Sequence, residues 1–103
     1  WKVQARRALT PTEIVASLSR LEGWSLSGDD QDVAIEKTFV FANYFETMAF
    51  VNALAWIAHT QDHHPDLHVQ YGRCVVRFNT HDVAGLSSSD FDCAARADAV
   101  LAK

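Results

Sequence analysis

Little in this chain suggests a covalent scaffold. Its two cysteines, Cys74 and Cys93, are too few for a disulfide framework and too far apart for a CxxC metal knuckle, so they read as small semi-buried thiols kept reduced, as in cytosol. The nine Lys and Arg are scattered among thirteen Asp and Glu, for a formal net charge of −4. No basic stripe is available to neutralise a phosphate backbone, and direct nucleic-acid binding is not expected. The longest strongly apolar stretch, residues 48–58, is broken by Asn52 and falls short of the ~20 residues of a membrane span. The opening Trp1-Lys2-Val3-Gln4-Ala5-Arg6-Arg7 has neither an initiator Met nor the apolar core of a signal peptide. Together these absences make a cytoplasmic location the expectation.

The chemical vocabulary is restricted too. No HExxH occurs, no Gly-rich phosphate loop, and no Ser or Cys in a nucleophile motif, which turns the reading away from covalent catalysis. Linkers, internal repeats and low-complexity tracts are also missing. What remains is ordinary globular material, 49% hydrophobic and 21% charged in 103 residues, far from the signature of disorder. One domain spanning 1–103 is expected.

Thr10-Pro11-Thr12-Glu13 starts a first helix: Thr10 caps, Pro11 fits the first helical position and Glu13 closes a capping box. That helix is expected to run to about Leu21, before Gly23. An extended segment from Trp24 then turns through Gly28-Asp29-Asp30 into the alternating residues 33–39, a first hairpin. Asn43-Tyr44-Phe45-Glu46 caps a second helix, with Phe45, Met48, Ala49, Asn52, Trp56, His59 and His63 on one face and Phe50, Leu54 and Ile57 beside them. It is expected to be long and well buried, and to end at His63 or His64 because Pro65 disfavours helical geometry before it. Residues 67–71 and 74–78 alternate around Gly72 as a second hairpin. Ser87 to Asp90 form a capping region for a third helix ending near Ala102. The order α-β-β-α-β-β-α predicts an α+β fold, a four-stranded antiparallel sheet with three helices packed on one face. The other face or an exposed edge then needs covering, and self-association is the simplest way.

All five histidines, His59, His63, His64, His68 and His81, fall in one stretch that also holds Asp62, Asp66 and Asp82. Imidazole gives and takes protons near neutrality, so converging histidines indicate acid/base work or a metal. A helix C-terminus favours imidazolium, which suits His63 or His64 as a proton donor. The second hairpin brings His81 back toward them. His59 reads as a packing or orienting residue and His68 as solvent-facing or interfacial. Asp90 also reads simply as an acidic residue in a helix first turn. Metal binding is the rival chemistry, since His59 and His63 are four apart on one helical face, with His64, His81 or an Asp as further ligands.

The pattern His59-x3-His63-His64-Pro65, then Tyr71, His81 and Asp90, resembles the pterin-4a-carbinolamine dehydratases. The run Thr80-His81-Asp82-Val83-Ala84-Gly85-Leu86-Ser87 is similar to that family's Thr-His-x-x-Ala-Gly-Leu-Ser segment, and the resemblance covers nearly the whole chain. It implies catalytic positions at His63, His64, His81 and Asp90, and a pterin pocket lined by Asp62, His63, His64, Asn79, Thr80, His81 and Asp82. The implied activity is dehydration of a 4a-hydroxytetrahydropterin to the quinonoid dihydropterin, in pterin recycling after aromatic amino-acid hydroxylation. No metal or organic cofactor is implied, and homodimers or homotetramers are. His63 and His81 are then the acid/base pair, His64 binds and assists the leaving hydroxyl, and Asp90 and Asp62 orient or polarise their neighbours. The chain departs from the family pattern at His59, commonly acidic, at Leu67, commonly aromatic, and at Asn79, often Ser. A non-catalytic role as a dimerisation or assembly cofactor is the alternative that the same resemblance carries.

Overall fold

The computed structural model describes residues 7–28, 32–83 and 85–101; the reading of the N-terminal segment and part of the first turn lie outside them. Helix α1 is Pro11–Leu18, its Thr10 hydroxyl accepting from the Glu13 amide at 3.2 Å while the Glu13 carboxylate accepts from the Thr10 amide at 2.9 Å. The helix stops before the expected Leu21. Arg20 and Leu21 bond to carbonyls only three residues back, so the last turn tightens ahead of Gly23, whose φ of 86° ends it.

Strands β1 (Ser25–Ser27), β2 (Ala34–Val40), β3 (Asp66–Gln70) and β4 (Arg73–Phe78) form one antiparallel sheet in the order β1-β2-β4-β3. Cross-strand partners share a face, so the register Ile35↔Phe78, Phe39↔Cys74 and Leu67↔Val76 assembles the apolar side toward the helices. Ile35, Cys74, Val76 and Phe78 are fully buried there. Lys37 lies on that face too. It snorkels out to bond Asp98 at 2.8 Å and the Glu22 carbonyl at 3.1 Å, while Asp98 also accepts from the Trp24 indole at 3.0 Å.

Helix α2, Tyr44–Gln61, is capped by the Asn43 side chain, which accepts from the Glu46 amide at 2.8 Å. Two expectations for it are corrected. Its buried stripe is Thr47, Phe50, Leu54 and Ala58, whereas Phe45 and Trp56 from the predicted face are 80% and 66% exposed. The helix is apolar almost all round, so its periodicity selects no face and packing on the sheet decides which one is covered. It also ends at Gln61 rather than at the histidines. Asp62 adopts the left-handed conformation (φ 50°, ψ 44°), and the His63 amide reaches back to the Ala58 carbonyl at 3.1 Å. That six-to-one bond around a left-handed residue is a Schellman-type stop, with Asp in the usual place of Gly. A short 3-10 turn, His81–Val83, follows β4, and α3 covers Ser88–Val100.

Candidate active site

The left-handed Asp62 divides the adjacent histidines. His63 is turned inward, 5% exposed, its ring stacked on Phe78 with centroids 6.0 Å apart and planes 11° from parallel; His64 is exposed. Nε2 of His63 lies 2.6 Å from Oδ1 of Asp90, which sits in the first turn of α3 and is fully buried. The other carboxylate oxygen, Oδ2, accepts from the Thr80 hydroxyl at 2.7 Å and from the Ser87 amide at 2.9 Å. Donors thus come from the end of α2, the residue chain after β4 and the start of α3. A carboxylate can only accept, so the 2.6 Å contact is the one made by the His63 tautomer that carries its proton on Nε2.

Thr80 also organises the turn that carries His81. Its amide donates to the Gly85 carbonyl at 3.0 Å, and its own carbonyl accepts from Val83 at 3.2 Å. His81 and Asp82 sit exposed on that turn, and Asp62 is half-buried. Asn79 and Thr80, expected to line a pocket, are buried with side chains turned into the protein: the Asn79 amide nitrogen bonds the Val33 carbonyl, and the Thr80 hydroxyl is held by Asp90 and Ser87. Oδ1 of Asn79 is buried without a hydrogen-bond partner among the described residues. His59 is exposed, its ring 5.7 Å from that of Trp56.

The pairing of His59 with His63 on one helical face does not form, because α2 ends before His63 and the left-handed residue rotates it away. Among the described residues no group of three or more His, Cys, Asp or Glu is arranged to hold a metal ion, nor is any helix long and apolar enough to cross a membrane. A groove of about 560 Å³ between α1 and α3, lined by Leu9, Glu13, Arg20, Phe91 and Ala95 among others, contains none of the histidines. Two participants in the buried cluster were not expected there. Phe78 reads from the sequence only as a core strand residue, and Ser87 only as part of a helix cap.

Fold and cluster together define a small α+β protein in which a histidine just past the end of one helix, His63, meets a carboxylate buried at the start of another, Asp90. Residues 7–100 match the Pterin 4 alpha carbinolamine dehydratase family, and the chain belongs to it. It is 67% identical over 102 residues, 99% of this chain and 88% of the relative, to a Paracidovorax citrulli protein provisionally named pterin-4-alpha-carbinolamine dehydratase. A Bdellovibrio bacteriovorus protein with the same provisional name is 54% identical over 98 residues, 91% of this chain and 78% of that one. The crystal structure of a transcriptional coactivator/pterin dehydratase from Brucella melitensis superposes with a TM-score of 0.87 at 28% identity, covering 93% of this chain and all of the other. A pterin dehydratase-like protein described as a RuBisCO assembly factor of the alpha-carboxysome shares the fold at a TM-score of 0.65 and 24% identity, over 77% of this chain and 89% of that one.

Proposed function

We propose that this protein is a carbon–oxygen hydro-lyase that converts a 4a-hydroxytetrahydropterin into water and the quinonoid dihydropterin, the step that recycles the pterin after aromatic amino-acid hydroxylation. The observation that carries the reading is the 2.6 Å contact between His63 and the buried Asp90, in a chain that belongs to the pterin-4a-carbinolamine dehydratase family. In the elimination the C4a–O bond breaks, the departing hydroxyl takes up a proton to leave as water, the N5 proton is removed, and a C4a=N5 double bond forms. One acid and one base facing the same ring region meet this need, and imidazole serves as either near neutrality.

His63 and His81 are assigned as the acid/base pair, with His64 binding and assisting the leaving hydroxyl. Asp90 acts through His63: with Nε2 committed to the carboxylate, Nδ1 is the ring atom that exchanges a proton. Asp62 and Asp82 are assigned to the pocket wall, and the inward side chains of Asn79 and Thr80 leave their main chain for that role. Stopped-flow absorbance decay of a freshly generated 4a-hydroxytetrahydropterin tests the assignment, with wild type beside His63→Ala and His81→Ala. Acceleration by wild type that both variants lose supports it; no acceleration by wild type overturns it.

A second reading, self-association or docking of a protein partner, is favoured by the exposure of Phe45 (80%) and Trp56 (66%) on α2 and by the sheet edge at β3. We assign the protein as a homodimer or homotetramer on this ground, a role compatible with catalysis. Sedimentation of a stable monomer at micromolar concentration is the result that would sink it.

A further inference from the structure

We propose that Thr80 and Ser87 are positioning residues, whose linked hydroxyls hold Asp90 so that His63 is kept protonated on Nε2 and presents Nδ1 to the substrate. This rests on the hydro-lyase reading for its chemistry, but its structural content stands apart from it. A threonine hydroxyl has one proton to give. Thr80 lies 2.7 Å from both the Asp90 carboxylate and the Ser87 hydroxyl. The carboxylate can only accept, so the Thr80 proton goes to Asp90, and Ser87 must donate to Thr80. The protons therefore run one way, from Ser87 to Thr80 to Asp90 Oδ2, and meet the His63 Nε2 proton arriving at Oδ1. Hydrogen bonds aligned in this sense reinforce one another, and all four groups are buried, Thr80 and Ser87 to 1% exposure and Asp90 to 0%.

The main chain gives Thr80 a second hold on the site. Its amide and carbonyl close the turn through Gly85 and Val83 that carries His81. One residue thus ties the two histidines of the proposed acid/base pair to a common frame, His63 by the side chain through Asp90 and His81 by the backbone. A helix cap alone does not require the Thr80 hydroxyl, since the Ser87 amide already satisfies Asp90 at 2.9 Å.

The test uses Thr80→Val, which keeps the shape and deletes the hydroxyl, Thr80→Ser, which restores it, and Ser87→Ala. Imidazole ¹⁵N resonances at fixed neutral pH report the ring nitrogen that carries the proton, and steady-state kinetics report kcat and KM. In Thr80→Val the His63 signals should move away from the Nε2-protonated pattern, and kcat should fall about tenfold, the scale of one hydrogen bond to a charged group. KM should stay within about twofold, because no substrate contact is removed. Thr80→Ser should restore both readouts, and Ser87→Ala should give a smaller change of the same kind. Unchanged His63 resonances in a folded Thr80→Val protein overturn the proposal, as does a rise in KM at constant kcat. Should Thr80→Val not fold, a Ser87→Ala protein with wild-type His63 resonances overturns it equally. If wild type shows no dehydratase activity, the hydro-lyase reading fails while the ring-nitrogen measurement still decides the positioning roles.

Discussion

Nε2 of His63 and Oδ1 of Asp90 meet at 2.6 Å where neither residue is more than 5% exposed, so each is the other's replacement for water. Removing the imidazole strands a buried charge, which typically costs about 3–5 kcal/mol. Removing an exposed imidazole usually changes stability by no more than about 0.5 kcal/mol. His63→Ala should therefore lower the thermal midpoint strongly, at about 4–8 °C per kcal/mol for a domain of this size. His81→Ala should leave it nearly unchanged, although both variants lose the proposed activity. Circular dichroism melts check the asymmetry, and equal midpoints would show that the His63 contact contributes nothing to folding.

Asp62 is the one non-glycine residue with positive φ among those described. Asp62→Gly and Asp62→Ala both delete the carboxylate, so they differ chiefly in the backbone, where alanine in the left-handed region carries a penalty of about 1 kcal/mol. Asp62→Gly should be the more stable of the two by roughly that amount in urea titration. The reverse order would mean that the turn is not left-handed in solution.

The Arg7 guanidinium forks onto Glu13 through two bonds of 2.9 Å. With help from the Thr10 amide, it holds that carboxyl well below its ordinary 4.5, at about 2. Because the folded value is depressed, the linked stabilisation is present above the ordinary value and disappears as the pH falls through about 2. A ¹³C titration of the Glu13 carboxyl should show the low midpoint, and Arg7→Ala should bring it upward. The pair is exposed, so raised salt should weaken the shift; a wild-type midpoint at the ordinary value would mean the fork does not persist in solution.

Burial pushes the Cys74 thiol up, and Cys74 and Cys93 are both buried and not joined in a disulfide. Neither should react appreciably with iodoacetamide at pH 8 in the native protein, and both should react after denaturation. For Cys74 the buried thiol contributes stability below its unfolded value, lost as the pH rises through the higher folded value. Rapid native labelling, read by mass spectrometry, would contradict the buried placement.

The parts of the fold that depend on local chemistry were legible beforehand. Thr10, Pro11 and Glu13 announce α1 through bonds only three residues apart, as Asn43 and Glu46 announce α2. The alternation around Gly72 announces the hairpin of β3 and β4, although the turn takes Tyr71 as well as Gly72, so that Gln70 pairs with Arg73 and Tyr71 falls outside the strand in which it was expected. The buried face of α2 was not legible, because a helix carrying Phe45, Phe50, Leu54 and Trp56 offers apolar surface on more than one side and only the sheet can choose. The stop at Gln61 was missed by about two residues, since Pro65 signals an end without saying which residue will turn left-handed. At the site, the histidines stand out by composition. Asp90 gained its meaning only from the family resemblance, and the hydroxyl pair of Thr80 and Ser87 is invisible in a linear pattern because it depends on a turn closing at Gly85.

The left-handed turn at Asp62 makes two neighbouring letters of the sequence chemically unlike. An acylating reagent dissolved in water finds His64 open and His63 shielded behind Phe78 and Asp90. The same reagent would therefore modify His64 well before His63, and the slower of the two is the imidazole wired to the interior.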